Sequence, residues 1–314
     1  VPADGLLLVA KPAGCTSHDV VQRARKLLRH KRIGHCGTLD PDATGLLLLT
    51  LGQATRLTRF LVHAPKVYEG TIRLGVATDT YDASGRVVSE ASAASVDESA
   101  VDRAMLRFVG TYQQTLPAYS ARKVQGVKLY ELARRGEPVP ESSKEVTVWE
   151  FARLGSLDAD RFPFRVSCSS GTYARSLAHD LGSDLGCGAH LESLRRTEVG
   201  PFRLADAREI EEIASRLERG EGPGSSWYRL AAIPLPFGDA VADAAQERRV
   251  RNGQTALVQG VDAREGDWLR LLGARGEAIA VGVIVERVAA GRLGVVQPRI
   301  VFGPSTDVIE FPRT

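Results

Sequence analysis

The sequence predicts an α+β fold, in which a mixed or antiparallel central sheet is flanked by helices and followed by a small C-terminal β-rich domain. Three observations point there. Strand-like and helix-like segments follow one another without regular alternation, so a doubly wound parallel sheet is not expected. A stretch from Glu218 to Pro236 carries Gly220, Gly222, Pro223, Gly224, Pro234 and Pro236 and has the composition of a linker. Beyond it, short strand-like runs flank the turn Gly273-Ala274-Arg275-Gly276. At 314 residues the chain exceeds a comfortable single core, which predicts domains over 1–236 and 237–314. Hydrophobic content of 43% and charged content of 25% are those of an ordinary folded chain, so no long disordered tract is expected.

Taken in order, Ser17 stands where it can cap a helix whose apolar positions Val20, Val21, Ala24, Leu27 and Leu28 follow the helical period. Arg23, Lys26, Arg29, His30 and Lys31 fall largely outside that stripe, making the helix amphipathic and basic. The run ends at Arg32 and leads within two residues to Gly34-His35. A formal net charge of +3 is modest, so clustering of this kind matters more for nucleic-acid binding than the total. Gly45 to Thr50 reads as a buried strand, and Tyr68 to Leu74 alternates like a half-buried one. Asp97 to Val109 has helical character, Val146 to Leu154 and Phe164 to Cys168 read as strands, and Thr172 to Leu185 as a helix. Trp268 to Leu272, Ala278 to Val285 and Leu293 to Val296 are the strand candidates of the smaller domain.

Several function classes are disfavoured. No apolar run approaches the roughly 20 residues of a membrane-spanning helix, and the first residues show no export signal, so a cytoplasmic protein is expected. Cys15, Cys36, Cys168 and Cys187 form no Cys-x-x-Cys pair, which argues for reduced thiols over a zinc ribbon or a disulfide framework. No Gly-x-x-x-x-Gly-Lys-Ser/Thr motif is present to cradle a nucleotide, and no metal or organic cofactor is expected.

Asp40 before Pro41, between Gly37-Thr38 and Thr44-Gly45, is on its own a turn signal. The whole stretch Gly34-His35-Cys36-Gly37-Thr38-Leu39-Asp40-Pro41-Asp42-Ala43-Thr44-Gly45-Leu46-Leu47, however, resembles the catalytic motif of the TruB family of pseudouridine synthases. The resemblance extends to Lys11-Pro12-Ala13-Gly14-Cys15-Thr16-Ser17, Lys66-Val67-Tyr68-Glu69-Gly70, and Leu74-Gly75 with Thr78-Asp79-Thr80 and Asp82. It continues through Pro117-Ala118-Tyr119-Ser120-Ala121 with Lys123, Ser170-Gly171-Thr172-Tyr173-Ala174-Arg175-Ser176-Leu177, and Leu191 with Leu194-Arg195-Arg196-Thr197. The C-terminal segment, with Pro298-Arg299-Ile300-Val301-Phe302, is similar to the PUA-type RNA-binding module of bacterial members.

The resemblance implies a pseudouridine synthase fold and the conversion of uridine to pseudouridine in the tRNA T-loop, at tRNA position 55. It makes Asp40 the catalytic carboxylate, paired with Arg175 and thereby held ionised with a lowered pKa. Tyr68 would stack on the flipped uracil, its hydroxyl assisting proton removal. Tyr173, Leu194 and Lys11 would lie at the substrate, and His35 would brace the emptied place in the RNA stack. Local pattern alone reads differently: Tyr68 as an aromatic core residue, Tyr173 packing on Leu177, and Leu194 on Leu191 at helical spacing. Residues 116–144, with Arg122, Lys123, Lys128, Arg134 and Arg135 interleaved by Tyr119 and Tyr130, would form a thumb that grips the RNA arm. Implied with this are a tRNA T-arm as partner, a monomer, no obligate protein partner and no cofactor. Two other readings are an RNA-guided catalytic subunit and a non-catalytic RNA-binding or tRNA-folding module.

Overall fold

The computed structural model describes residues 4–117, 123–124, 127–128, 135, 137, 140, 142–259, 262–288 and 293–304. Its first half runs β1 (Gly5–Lys11), α1 (Ser17–Leu27), β2 (Ile33–His35), β3 (Thr44–Leu51), α2 (Thr58–Leu61), β4 (Lys66–Leu74), β5 (Val76–Thr78), β6 (Val87–Glu90), α3 (Glu98–Arg107) and β7 (Gly110–Thr115). After the short pair β8 (Lys123–Val124) and β9 (Val127–Lys128) come β10 (Ser143–Arg153), β11 (Arg161–Cys168), α4 (Ala174–Asp184), β12 (Ala189–Val199), β13 (Phe202–Arg203), α5 (Ile210–Glu218) and β14 (Trp227–Arg229). The last part holds β15 (Asp239–Val241), α6 (Ala244–Arg251), β16 (Ala256–Gln259), β17 (Trp268–Leu272), β18 (Ala278–Val288) and β19 (Leu293–Val301).

A ten-stranded sheet forms the body, in the order β14-β1-β3-β12-β4-β11-β10-β7, with β2 joined to β3 and β13 to β12. Its strands are antiparallel except where β12 meets β3, so the expected mixed sheet is present. The central strands β1 and β3 are continuous apolar runs because both faces are covered. Leu7, Val9, Leu47, Leu49 and Leu51 face α1 and α5, while Leu6, Leu8, Leu46 and Leu48 pack on the opposite side with Leu57, Phe202 and Phe302. A second core lies where α3 and α4 cover β4, β10, β11 and β12, around Phe162, Phe164 and Leu177.

The Gly/Pro-rich stretch before Pro236 is not a free tether. β14 pairs with β1 at the sheet edge, Trp227 packs on the α1 side, and the Tyr228 ring meets Phe202 edge-on at 5.3 Å. Two aromatic side chains supply the burial that its glycines and prolines do not. The C-terminal sheet, in the order β15-β17-β18-β19-β16, carries its own core around Val250, Leu271 and Ile279. It is also packed on the body: Val281 and Ile300 share a cluster with Leu6 and Leu57, and Phe60 contacts the Trp268 ring at 4.9 Å.

The first helix differs from expectation at its start. Thr16, not Ser17, is the cap: its hydroxyl accepts the Asp19 N–H at 3.1 Å while Asp19 accepts the Thr16 N–H at 2.8 Å, a reciprocal box. Ser17 is thereby freed for a contact described below. Most of the thumb expected at 116–144, including Tyr119, Arg122, Tyr130 and Arg134, lies outside the described residues; the backbones of β8 and β9 pair antiparallel. Among the described residues, no helix is long and apolar enough to cross a membrane.

Gly45, at the start of β3, has φ +106°, and a Cβ there would stand 2.3 Å from the carbonyl oxygen of Arg196 in the adjacent strand. Neither the torsion nor the neighbouring backbone can yield cheaply. Gly45→Ala is therefore expected to lower unfolding free energy by at least about 2 kcal/mol, read as a fall in thermal midpoint.

Candidate active site

Asp40 sits on the loop joining β2 to β3, and three buried side chains pin that loop. The Ser17 hydroxyl accepts the Leu39 N–H at 2.9 Å and donates back to the Leu39 carbonyl at 3.2 Å. Lys11, 2% exposed, donates to the carbonyls of Pro12, Pro41 and Ala43 at 2.8, 2.9 and 2.7 Å. An ammonium has three donors, and the loop takes two of them. Arg196 is wholly buried; its Nε donates to the Leu46 carbonyl at 2.8 Å and its two terminal nitrogens to those of Thr38 and Gly37 at 3.4 and 3.2 Å. Two buried cations thus give their donors to carbonyls in and around the loop, of which Pro41 also accepts the Gly14 N–H at 3.1 Å.

The loop presents Asp40 to Arg175 in the first turn of α4. Arg175 Nε lies 2.9 Å from Asp40 Oδ2 and Nη2 lies 3.4 Å from Oδ1, a side-on, two-point approach. The other side of the same guanidinium faces a second carboxylate: Nη1 is 3.3 Å from Asp82 Oδ2 and donates to the Thr80 carbonyl at 3.1 Å. Between Thr80 and Asp82, Tyr81 adopts φ +66° and its ring stacks at 3.8 Å on His179, one helical turn beyond Arg175. A left-handed tyrosine costs on the order of 1–2 kcal/mol, which the stacking and the Arg175 contacts offset.

Asp40, Asp82, Arg175, Thr38, Ser193 and Leu194 line a cavity of about 640 Å³. The Asp40 side chain keeps 43% of its surface, open to the cavity. Burial pushes its carboxyl above the ordinary value; Arg175 pulls it down, Asp82 pushes it up and Lys11 pulls it down. The expected net lowering is therefore not found. One guanidinium shared between two carboxylates does not outweigh lost hydration plus the second negative charge.

The other residues singled out in the sequence fall at differing depths. Leu194 lines the cavity from β12; the helical spacing to Leu191 that its sequence suggests is replaced by a strand with a register shift between Leu191 and Ser193. Tyr68 on β4 is 8% exposed and packed in the same core as Leu39 and Phe164; burial raises its pKa, so its phenol is neutral. Tyr173 is the residue preceding α4, half-buried. His35 ends β2, and burial, reinforced by Arg196 and opposed by the Gly37 backbone, lowers its pKa so that the ring is uncharged at neutral pH. Lys11 braces the loop from beneath, where the resemblance implies a substrate contact. Asp82 and Arg196 carry as much of the arrangement as these, and sequence reasoning passed over both. Their positions within quoted motifs were visible, but neither partner could be named without the fold. Among the described residues, no cluster of His, Cys, Asp and Glu is arranged to hold a metal ion.

Two family models match end to end: the TruB family pseudouridylate synthase N-terminal domain over residues 25–174, and the tRNA pseudouridylate synthase B C-terminal domain over residues 175–241. A tRNA pseudouridine synthase B of Thermobifida fusca is 44% identical over 82% of this chain and 85% of its own length. Another, of Opitutus terrae, is 50% identical over 67% of this chain and 87% of its own. The chain belongs to the TruB family of pseudouridine synthases. The TruB-family fold extends further: the structure of an H/ACA RNP bound to a substrate RNA containing 2'-deoxyuridine contains a chain matching with a TM-score of 0.74 at 24% identity, covering 99% of this chain and 88% of that one. The two family models meet between Ala174 and Arg175, inside α4, so this TruB-family chain draws its central strand β12 from the second of them.

Replacing Ser17 by alanine leaves the buried N–H and carbonyl of Leu39 without their partner. Ser17→Ala is expected to cost about 1–3 kcal/mol of stability, measured by denaturant unfolding, with the loss concentrated in protection of the Leu39 amide from hydrogen exchange.

Proposed function

We propose that this protein isomerises a uridine of the tRNA T-loop, at tRNA position 55, to pseudouridine, with Asp40 as its catalytic carboxylate. The observation that carries the reading is the Asp40 carboxylate held by Arg175 at 2.9 Å within a cavity of about 640 Å³, in a chain whose relatives are tRNA pseudouridine synthases. The reaction moves no atom in or out. The N1–C1′ bond breaks, the uracil turns while bound, a C5–C1′ bond forms, and a proton leaves C5 while one is gained at N1.

Such a reaction needs an ionised carboxylate beside the ribose and C6, a surface for the detached base, and exclusion of water. Asp40 supplies the first, with Arg175 fixing its rotamer and opposing the upward pull of burial. The cavity wall at Leu194 supplies apolar contact. The aromatic surface is assigned to Tyr68 and Tyr173 by the family motifs, since neither is among the residues lining the cavity. A neutral Tyr68 phenol suits stacking and hydrogen bonding better than proton abstraction. A uridine inside a folded loop must be extruded to enter the cavity that Asp40 lines, and the uncharged ring of His35 is suited to filling the place it leaves. Lys11 holds the catalytic loop and so acts on the substrate through Asp40.

The thumb at 116–144 and the C-terminal β domain, residues 237–314, are read as the RNA-gripping parts of the assignment, with the catalytic domain at 1–236. The enzyme is taken to act as a cytoplasmic monomer, without guide RNA or protein partner. Incubating the purified protein with an unmodified T-arm transcript and no other RNA is expected to yield pseudouridine; no product there would favour a guided subunit.

Asp40→Asn is expected to lower the single-turnover rate by at least about 1000-fold while T-arm binding stays within about threefold. Retained product would sink the catalytic assignment. Arg175 lowers the Asp40 pKa, so its removal raises it further. For Arg175→Met the acid limb of the pH–rate profile, along which activity falls as Asp40 protonates, is expected to move to higher pH than in the parent.

A further inference from the structure

α4 begins without a side-chain cap of its own, although it carries Arg175 in its first turn. The missing anchor comes from the far edge of the sheet. Gln114, on β7, is 0% exposed, and its amide is used on both sides against one residue. Its Oε1 accepts the Tyr173 N–H at 2.8 Å and its Nε2 donates to the Tyr173 carbonyl at 3.1 Å. Tyr173 is the residue from which α4 starts, and its carbonyl also accepts the Leu177 N–H at 3.2 Å. The neighbouring residues repeat the clasp: Ser176 Oγ donates to the Thr115 carbonyl at 2.9 Å, and Lys144 Nζ on β10 donates to the Ser170 carbonyl at 2.7 Å.

We propose that Gln114 is a positioning residue for the isomerisation, fixing the start of α4 and through it the side chains of Tyr173 and Arg175. This rests on the assignment of Asp40 and Arg175 above. A two-point amide contact fixes both the height and the rotation of the residue it holds, because one bond alone leaves a hinge. Arg175 follows Tyr173 by two residues on a helical backbone, so a small tilt at the helix start is passed directly to the guanidinium. Contact at 2.9 Å between Arg175 and Asp40 tolerates little of that tilt, since catalytic geometry is lost over distances of about 1 Å.

The test uses the full-length enzyme with unmodified tRNA transcript under single-turnover conditions. Gln114→Met keeps the length of the side chain and removes both hydrogen bonds; Gln114→Glu keeps the acceptor for the Tyr173 N–H and turns a second acceptor against the Tyr173 carbonyl. Both are expected to slow product formation about tenfold or more, with tRNA affinity within about threefold, and to move the acid limb of the profile to higher pH, in the direction of Arg175→Met. Val146→Ala, a core truncation on the neighbouring strand β10, serves as a control for stability: it should lower the thermal midpoint and leave the acid limb in place. Rates within twofold of the parent, or an acid limb unmoved in both Gln114 variants, would overturn the proposal. Should Gln114→Met fail to fold, the profile of Gln114→Glu decides. Asp40→Asn run alongside separates the two levels: if it retains product, the catalytic assignment fails, whereas if it is inactive and the Gln114 variants are normal, only the positioning role fails.

Discussion

A guanidinium with no exposed surface lies at the centre of the sheet, where Arg196 gives its donors to the carbonyls of Gly37, Thr38 and Leu46. An ionised group in such a place is tolerated only when its hydrogens are matched, and an unmatched one costs several kcal/mol. The match works in both directions. The loop carbonyls of Gly37 and Thr38 are satisfied, and the loop can turn sharply enough to aim Asp40 into the cavity. Gly45 allows it, since any side chain there would meet the backbone of Arg196 itself. Lys11 and Ser17 finish the same task from β1 and α1. The candidate catalytic loop is therefore held by three polar groups buried beneath it, in addition to backbone bonds such as that from the Ala43 N–H to the Asp40 carbonyl at 3.2 Å.

Above the loop, the electrostatics are a contest with no large surplus. Arg175 faces Asp40 on one side and Asp82 on the other, so its charge is divided. Burial and the second carboxylate raise the Asp40 pKa while Arg175 and Lys11 oppose them. A carboxylate in that state is less stabilised than one in a simple ion pair, and is accordingly a better nucleophile or base once a substrate displaces the remaining water. The Tyr81–His179 stack places the Thr80–Asp82 turn against the same helix that carries Arg175, making that helix the common reference for both carboxylates.

The sheet explains how distant parts of the chain share this site. β12 lies between β3 and β4, and so sets Arg196 beside Gly45 on one side and Tyr68 on the other. The same strand carries Leu194 to the cavity wall. At the opposite edge β7 reaches α4 through Gln114. The C-terminal sheet is fastened to the body by Phe60, Trp268 and the cluster around Val281 and Ile300, a contact apolar enough to hold the two parts in one relation.

What the sequence determined by itself was the class of fold, most of the strands and helices with strong apolar periodicity, and, through long motifs, membership of the TruB family and the candidates for its chemistry-bearing residues. Gly45 to Thr50, Tyr68 to Leu74 and Trp268 to Leu272 were legible because their burial is written in local alternation or in unbroken apolar runs. Ser17 was misread because Thr16 and Ser17 are equally good caps, and only the contact with Leu39 distinguishes them. β12 escaped because Leu191, Leu194, Arg195 and Arg196 mix apolar and charged residues in a strand whose arginine points into the core. No local pattern signals a buried cation, since its partners are carbonyls 150 to 159 residues away along the chain. The tertiary structure alone decided that Lys11 serves the loop, that Asp82 shares Arg175 with Asp40, and that burial rather than the ion pair sets the direction of the Asp40 pKa. Each depends on distance and desolvation, and neither is a property of sequence.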